Sequence, residues 1–217
     1  MLTRLSFNKL YTLAVLVPLM MFAAHAQALI QRGADSLESI GTPHFDSLRV
    51  AENASIPKSR KIYIAEVSAN FGNDWLREFK GKTTEQYKKR VLADYSKALK
   101  KHLVNRLSDA GWQVLDKYES GALIVDAQLK DLYINGPEKL IREHILVRNI
   151  GQSSILISVA GADNNVIFEI EDRRNAGGLD NYFIETDNAI NYGWFSQLMD
   201  TWAGKFVVYL DASTSGV

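Results

Sequence analysis

Two hydrophobic periods organise the chain after residue 60. The stretch KIYIAEVSA, 61–69, gathers Ile62, Tyr63, Ile64 and Val67 into a short run of β-formers and predicts a strand. From Tyr87 the spacing lengthens. Tyr87, Val91, Tyr95, Ala98, Leu99, Leu103, Leu107 and Ala110 recur at three- and four-residue steps, with lysines and arginines on the other side. That is an amphipathic helix, started by Thr83 or Thr84 and ended at Gly111, where a left-handed residue is wanted. The link FGNDWLREFKGK between strand and helix reads as irregular, and its Trp75 and Phe79, with Tyr87, are candidates for an exposed binding lip.

The short period then returns. WQVLD begins a short strand, and ALIVDAQLKDLYI, 122–134, is a longer one with Leu123, Val125, Ala127, Leu129 and Tyr133 on one face. Asn135-Gly136-Pro137 breaks it, and 138–150 fits either period. SSILISVAGADNNVIFEIEDRR is a hairpin turning at ADNN, and NAGGLDNYFIETD is a loop. The final stretch, 188–211, is a helix whose Ile190, Trp194, Leu198, Trp202 and Phe206 follow one face, which places both tryptophans in the core. The order implies a single α+β domain over 61–217. Its expected form is a two-layer sandwich, a mixed sheet of about four to five strands with two main helices packed on one face. Residues 29–60, punctuated by Gly33, Gly41, Pro43 and Pro57, read as an extended strap whose HFDSLRV segment is placed to dock on the domain.

The first 28 residues follow another pattern. Arg4 and Lys9 precede an apolar run from Leu10 to Ala24, and small-x-small exits end at Ala26 and Ala28. This is a secretory signal peptide, and its apolar run is short against the roughly 20 residues of a spanning helix. No later segment reads as transmembrane. Cysteine is absent, which excludes disulfides, thiolate metal sites, thiol nucleophiles and a lipid anchor through a lipobox cysteine. Together these features favour the periplasm. Loss of Arg4 and Lys9 with the signal leaves 23 basic residues against 25 acidic, a formal charge of −2. With no basic tract, nucleic acid is not an expected partner.

The stretch EDRRNAGG, 171–178, is the densest charge cluster. Alternation puts Val166, Phe168, Ile170 and Asp172 on one strand face and Glu169, Glu171 and Arg173 on the other, solvated one. Asp172 and Arg174 then fall on the helix-covered side. A carboxylate pair for glycoside hydrolysis needs its two groups across a cleft, and neighbouring acids along a strand give no sign of one. His44, His102 and His144 lack metal-ligand spacing, with His102 read as a residue at the edge of the helix's apolar face. No nucleophile elbow, phosphate loop or dinucleotide fingerprint is present. No catalytic, metal or cofactor residue is therefore assigned, and no cofactor is expected. Asp172, Arg173, Arg174, Trp75 and Phe79 are the candidate interaction residues.

The segment VRNIGQSSILISVAGADNNVIFEIEDRRNA, with the later MDTWAGKFVVYLD, resembles the bacterial envelope family called domain of unknown function 3313. The resemblance rests on Asp172, Arg173, Arg174, Trp202, Ala203, Leu210 and Asp211. It implies an uncharacterised secreted envelope protein and carries no catalytic residues; many members are lipoproteins, whereas this chain lacks the cysteine. Three functions follow as expectations. The first is a non-catalytic periplasmic protein that contacts an envelope protein through its open sheet face and Arg173 edge. The second is a carrier of a small apolar ligand, in a cavity lined by Leu123, Leu156 and Trp202. The third is a cell-wall hydrolase using Glu169 or Asp172 as its acid.

Overall fold

The computed structural model describes residues 37–52, 56–137, 145–177 and 183–214. The signal peptide and residues 138–144 lie outside the described residues. In chain order the strands are β1 (Leu37–Ile40), β2 (Ser47–Ala51), β3 (Lys61–Phe71), β4 (Gln113–Leu115), β5 (Leu123–Ile134), β6 (Ile145–Val147), β7 (Gly151–Ala160), β8 (Val166–Ala176) and β9 (Ile184–Thr186). The helices are α1 (Asn73–Glu78), α2 (Glu85–Asp109) and α3 (Asn188–Thr214). Seven strands form one mixed sheet in the order β1-β2-β8-β7-β5-β3-β4, and β6 pairs with β9 apart from it. The protein is thus mixed α+β, with a larger sheet than the four or five strands expected and a third, short helix.

Two of the extra strands come from the strap. β2 runs antiparallel to β8 with Leu48 opposite Ile170 and Val50 opposite Phe168, and β1 pairs onto β2. Phe45 and Leu48 are buried, so the strap contributes to the core as well as to the ladder. Four- and five-residue strands with mixed polarity give too few alternations to register as a period.

The long helices share one layer. In α2 the buried residues are Tyr87, Val91, Tyr95, Ala98, Leu99, Leu103 and Leu107, the stripe that the spacing predicts. The Thr84 side chain accepts from Tyr87 N at 3.0 Å, and Gly111 follows the last turn at φ +79. Helix α3 packs on α2 and on β8, with Phe206 and Tyr209 against Phe168. Register places Leu123, Val125, Val159, Phe168 and Ile170 beneath these helices, all buried.

Three expectations within this frame are corrected. Along β5, Leu123, Val125, Ala127 and Leu129 do share the buried face, but a bulge at Asp131 (φ +52) inserts one residue. Leu132 and Ile134 are therefore buried, while Tyr133 turns outward and donates to the Glu78 carboxylate, which pushes the phenol up to about 12. The link after β3 is not irregular throughout, since α1 forms there without a side-chain cap and is held by Trp75. In α3 the buried positions of the first turns are Asn191, Phe195 and Met199, not Ile190 and Trp194.

Candidate functional site

β8 carries the DRR sequence past the end of β2, and a dense hydrogen-bond network gathers there. Asp172, fully buried, lies on the helix side of the sheet as the alternation predicts. Its Oδ2 accepts from Trp202 Nε1 at 2.8 Å and from Arg174 Nε at 2.8 Å. Its Oδ1 accepts from Arg174 Nη2 at 2.8 Å and from Asp46 N at 3.2 Å. Four donors meet the roughly four lone-pair sites of a carboxylate, so Asp172 has no acceptor position to spare for a substrate. Asp46 returns the contact: its Oδ2 accepts from Arg173 N at 2.8 Å. The strap, β8 and α3 are therefore tied at one buried charge.

The second cluster in the resemblance is also structural. Asp211 Oδ1 accepts from Arg60 Nη2 at 2.7 Å and from Trp112 Nε1 at 2.8 Å. The same Arg60 atom donates to Ala110 O at 2.7 Å, closing the C-terminus of α2. Asp172, Trp202 and Asp211 thus join sequence-distant elements.

The other sheet face carries Glu169, Glu171 and Arg173. The solvated setting expected for Glu169 is corrected: it is only 6% exposed. Arg49 stands directly opposite on β2 and pairs with it, and Ser158 opposite on β7 donates to it at 3.2 Å. Lys130 Nζ reaches Glu171 Oε1 at 3.0 Å. The Arg173 guanidinium, exposed at the end of this ladder, has no hydrogen bond or ion pair among the described residues.

The aromatic candidates exchange places. Trp75 and Phe79 form no exposed lip, because both are buried. The Trp75 ring stacks on Phe71 at 3.9 Å between centroids, and its Nε1 donates to Ile134 O at 3.1 Å. Trp194, expected in the core beside Trp202, is 39% exposed. It lines a groove of about 1080 Å³ at the end of the sheet with Asp46, Gln152, Arg173, Arg174, Asn175, Gln197, Thr201, Trp202 and Lys205. Sequence reasoning missed Gln152, Asn175, Gln197 and Lys205. For Asn175, Gln197 and Lys205 the one available signal was adjacency to the DRR and WA motifs, and Gln152 carried none.

A further constellation joins α2 to α3. His102 Nε2 lies 2.8 Å from Ser196 Oγ, and His102 Nδ1 lies 3.2 Å from Asp200 Oδ1. The order serine, histidine, aspartate resembles a nucleophile relay. Here, however, Arg106 claims the aspartate with bonds of 2.9 and 2.5 Å, and Ser196 lines neither the groove at Trp194 nor the one between Tyr87 and Tyr192. A serine inside a helix also has its neighbouring backbone N–H groups committed to the helix, leaving no oxyanion donors. The cluster is an interhelical staple. The hydrogen bond from Arg106 holds the Asp200 carboxyl below its ordinary value, with the charges of Arg106 and His102 adding to the effect. A depressed folded value stabilises above the unfolded value near 3.8 and loses that contribution as pH falls through the folded one. Asp200→Asn should therefore flatten the loss of stability between about pH 5 and pH 3, measured by urea unfolding at each pH. An unchanged slope would refute the staple's electrostatic role.

Among the described residues no group of three or more histidine, aspartate or glutamate side chains could hold a metal ion, and no helix is long and apolar enough to cross a membrane.

The fold and site define an α+β protein with one two-helix layer over a seven-stranded sheet and a polar groove at the sheet's end. No protein-family model and no curated protein sequence matches the chain. Among solved structures, the PelC L103M dodecamer from Paraburkholderia phytofirmans is 7% identical over 71% of this chain and 94% of that one, with a TM-score of 0.36. A minor lipoprotein from Acinetobacter baumannii is 12% identical over 70% and 93%, with a TM-score of 0.37. A protein described as a homologue of neuraminyllactose-binding hemagglutinin, from Helicobacter pylori, is 12% identical over 74% and 88%, with a TM-score of 0.32. At this distance the likenesses carry no argument, and function has to be read from the chain's own residues.

Proposed function

We propose that the protein is a non-catalytic protein of the bacterial envelope, delivered to the periplasm by residues 1–28, which works through protein–protein contact. The contact surface is the sheet face away from the helices, with Arg173 at its edge. One observation carries this reading. Both long helices lie on the opposite face, and no described element covers the ladder of Arg49, Glu169, Lys130 and Glu171 that ends at the unpaired Arg173. Alternating charges on such a face give register and partner discrimination more than raw affinity. The resemblance to domain of unknown function 3313 agrees with the compartment.

The competing readings lose their residues. Glu169 and Asp172 lie on opposite faces of the sheet and are each held by an arginine, so they do not flank one cleft. Leu123 and Trp202 are core residues under the helices, whereas Leu156 pairs with Glu171 on the other face. The three do not line a common apolar cavity.

The test is affinity capture from crosslinked envelope fractions, followed by binding measurements with the recovered partner. Arg173→Glu and Glu171→Lys should each weaken binding by roughly tenfold, since every 1.4 kcal/mol is a decade of affinity. A partner indifferent to both swaps would remove the sheet face from the proposal.

A further inference from the structure

The groove at the end of β8 shares Arg173 with the protein contact, but the rest of its lining is not used there. Trp194 sits against Gly177, where an added Cβ would come within 3.1 Å of the indole ring and 3.0 Å of Ile150. Gly177 has φ +68, so glycine is favoured there on both counts. The ring is held by this contact yet remains half in solvent. A tryptophan fixed in that way is a stacking platform.

Around it stand amides without work to do inside the protein. Gln152, Asn175 and Gln197 line the groove, the first two from the sheet face that carries Arg173 and the third from α3, and none of their side chains makes a hydrogen bond among the described residues. Each amide offers two donors and an acceptor, the pattern that vicinal hydroxyl groups satisfy. The charge is also one-sided. Among the described residues Arg173 is unpaired, Lys205 Nζ donates to the backbone oxygen of His44 at 3.1 Å, and the one acid of the lining, Asp46, is engaged by Arg173 N. A guanidinium with open donors fits a carboxylate in bidentate fashion.

These features select among ligand classes. An apolar ligand would waste the amides, and the neutral overall charge does not suit nucleic acid. A peptide added as a strand needs a run of free backbone groups, and the β8 edge beside the groove is plugged at Arg173 by Asp46. The volume of about 1080 Å³ lies just above the roughly 300–1,000 Å³ range of small-molecule pockets, which suits an extended ligand. We propose that this groove binds an acidic oligosaccharide, with a sugar ring stacked on Trp194, hydroxyls held by Gln152, Asn175 and Gln197, and a carboxylate paired with Arg173. This goes beyond the sheet-face contact, with which it shares Arg173, and stands without it.

The test is titration of the folded protein with tetragalacturonic acid, read by tryptophan fluorescence and calorimetry. Maltotetraose serves as the neutral sugar and tetraglutamate as the acidic peptide. Tetragalacturonate should bind saturably, and maltotetraose about tenfold more weakly. Trp194→Ala should abolish the fluorescence change, and Gln197→Ala, at an exposed position, should weaken binding about fivefold, the loss of one hydrogen bond. Glu171→Lys on the sheet face should leave the sugar affinity unchanged, which separates this site from the protein contact. Absence of tetragalacturonate binding, undiminished binding by both groove variants, or equal affinity for tetraglutamate would each overturn the proposal.

Discussion

Asp172→Ala is expected to destabilise the protein by about 3 kcal/mol in urea unfolding, among the largest effects of any single polar substitution. The argument starts from what is left behind. Trp202, at 1% exposure, loses the acceptor for its indole N–H, and an orphaned buried donor costs roughly 1–3 kcal/mol. Asp46 N loses its acceptor as well. Arg174 contributes less to the loss, because its side chain is 43% exposed and water can take up the freed guanidinium. The reverse deletion, Arg174→Ala, strands a fully buried carboxylate and is expected to cost about 3–5 kcal/mol. Arg173→Ala, one residue away but pointing into solvent, should stay within about 0.5 kcal/mol. Asp172→Asn separates shape from charge. Its amide turns donors toward donors, so it should fall nearer to alanine than to wild type. A loss for Asp172→Ala below about 1 kcal/mol would mean that the strap and α3 are held elsewhere.

The same residue shows how much the sequence reveals. Alternation through VIFEIEDRR is enough to place Asp172 under the helices, because a strand's period of two is rigid and Phe168 anchors it. The α2 stripe was legible for a similar reason: 25 residues supply seven turns of evidence for a period. What stayed hidden depended on partners far along the chain. Glu169 is buried because Arg49, 120 residues away, lies over it. Trp75 is core because β5 bulges at Asp131 and brings Ile134 O within reach of the indole. Trp194 is exposed because α3 rotates its early buried face onto Asn191 and Phe195, where Asn191 meets Thr186 and Gly136 O. A tryptophan counts as core on any hydrophobicity scale. Whether it serves as core or as platform is decided by the packing partner, and the groove around Trp194 was therefore invisible in the sequence.

Gly151→Ala should be at least as damaging as the loss of Asp172, at about 3 kcal/mol or more, or should fail to fold. Gly151 opens β7 at φ +151, a backbone region costly to every other residue. An added Cβ would stand 1.9 Å from Tyr133 O and 3.1 Å from the Ile134 Cα, both backbone atoms that no rotamer change can move. The clash traces to the bulge. The extra residue at Asp131 shifts the pairing so that Tyr133 meets Gln152 and Ile134 meets Gly151, closing the β5 carbonyl over the glycine. Relief would need the bulge to reset, and resetting it would return Tyr133 to the core face and expel Leu132 and Ile134. The cost therefore combines local strain with burial over several residues. Gly41→Ala is the matched control, because nothing lies within 4 Å of its added Cβ and it should change stability by less than about 0.5 kcal/mol. Equal, small effects for the two substitutions in urea unfolding would show that the β5–β7 register does not depend on Gly151.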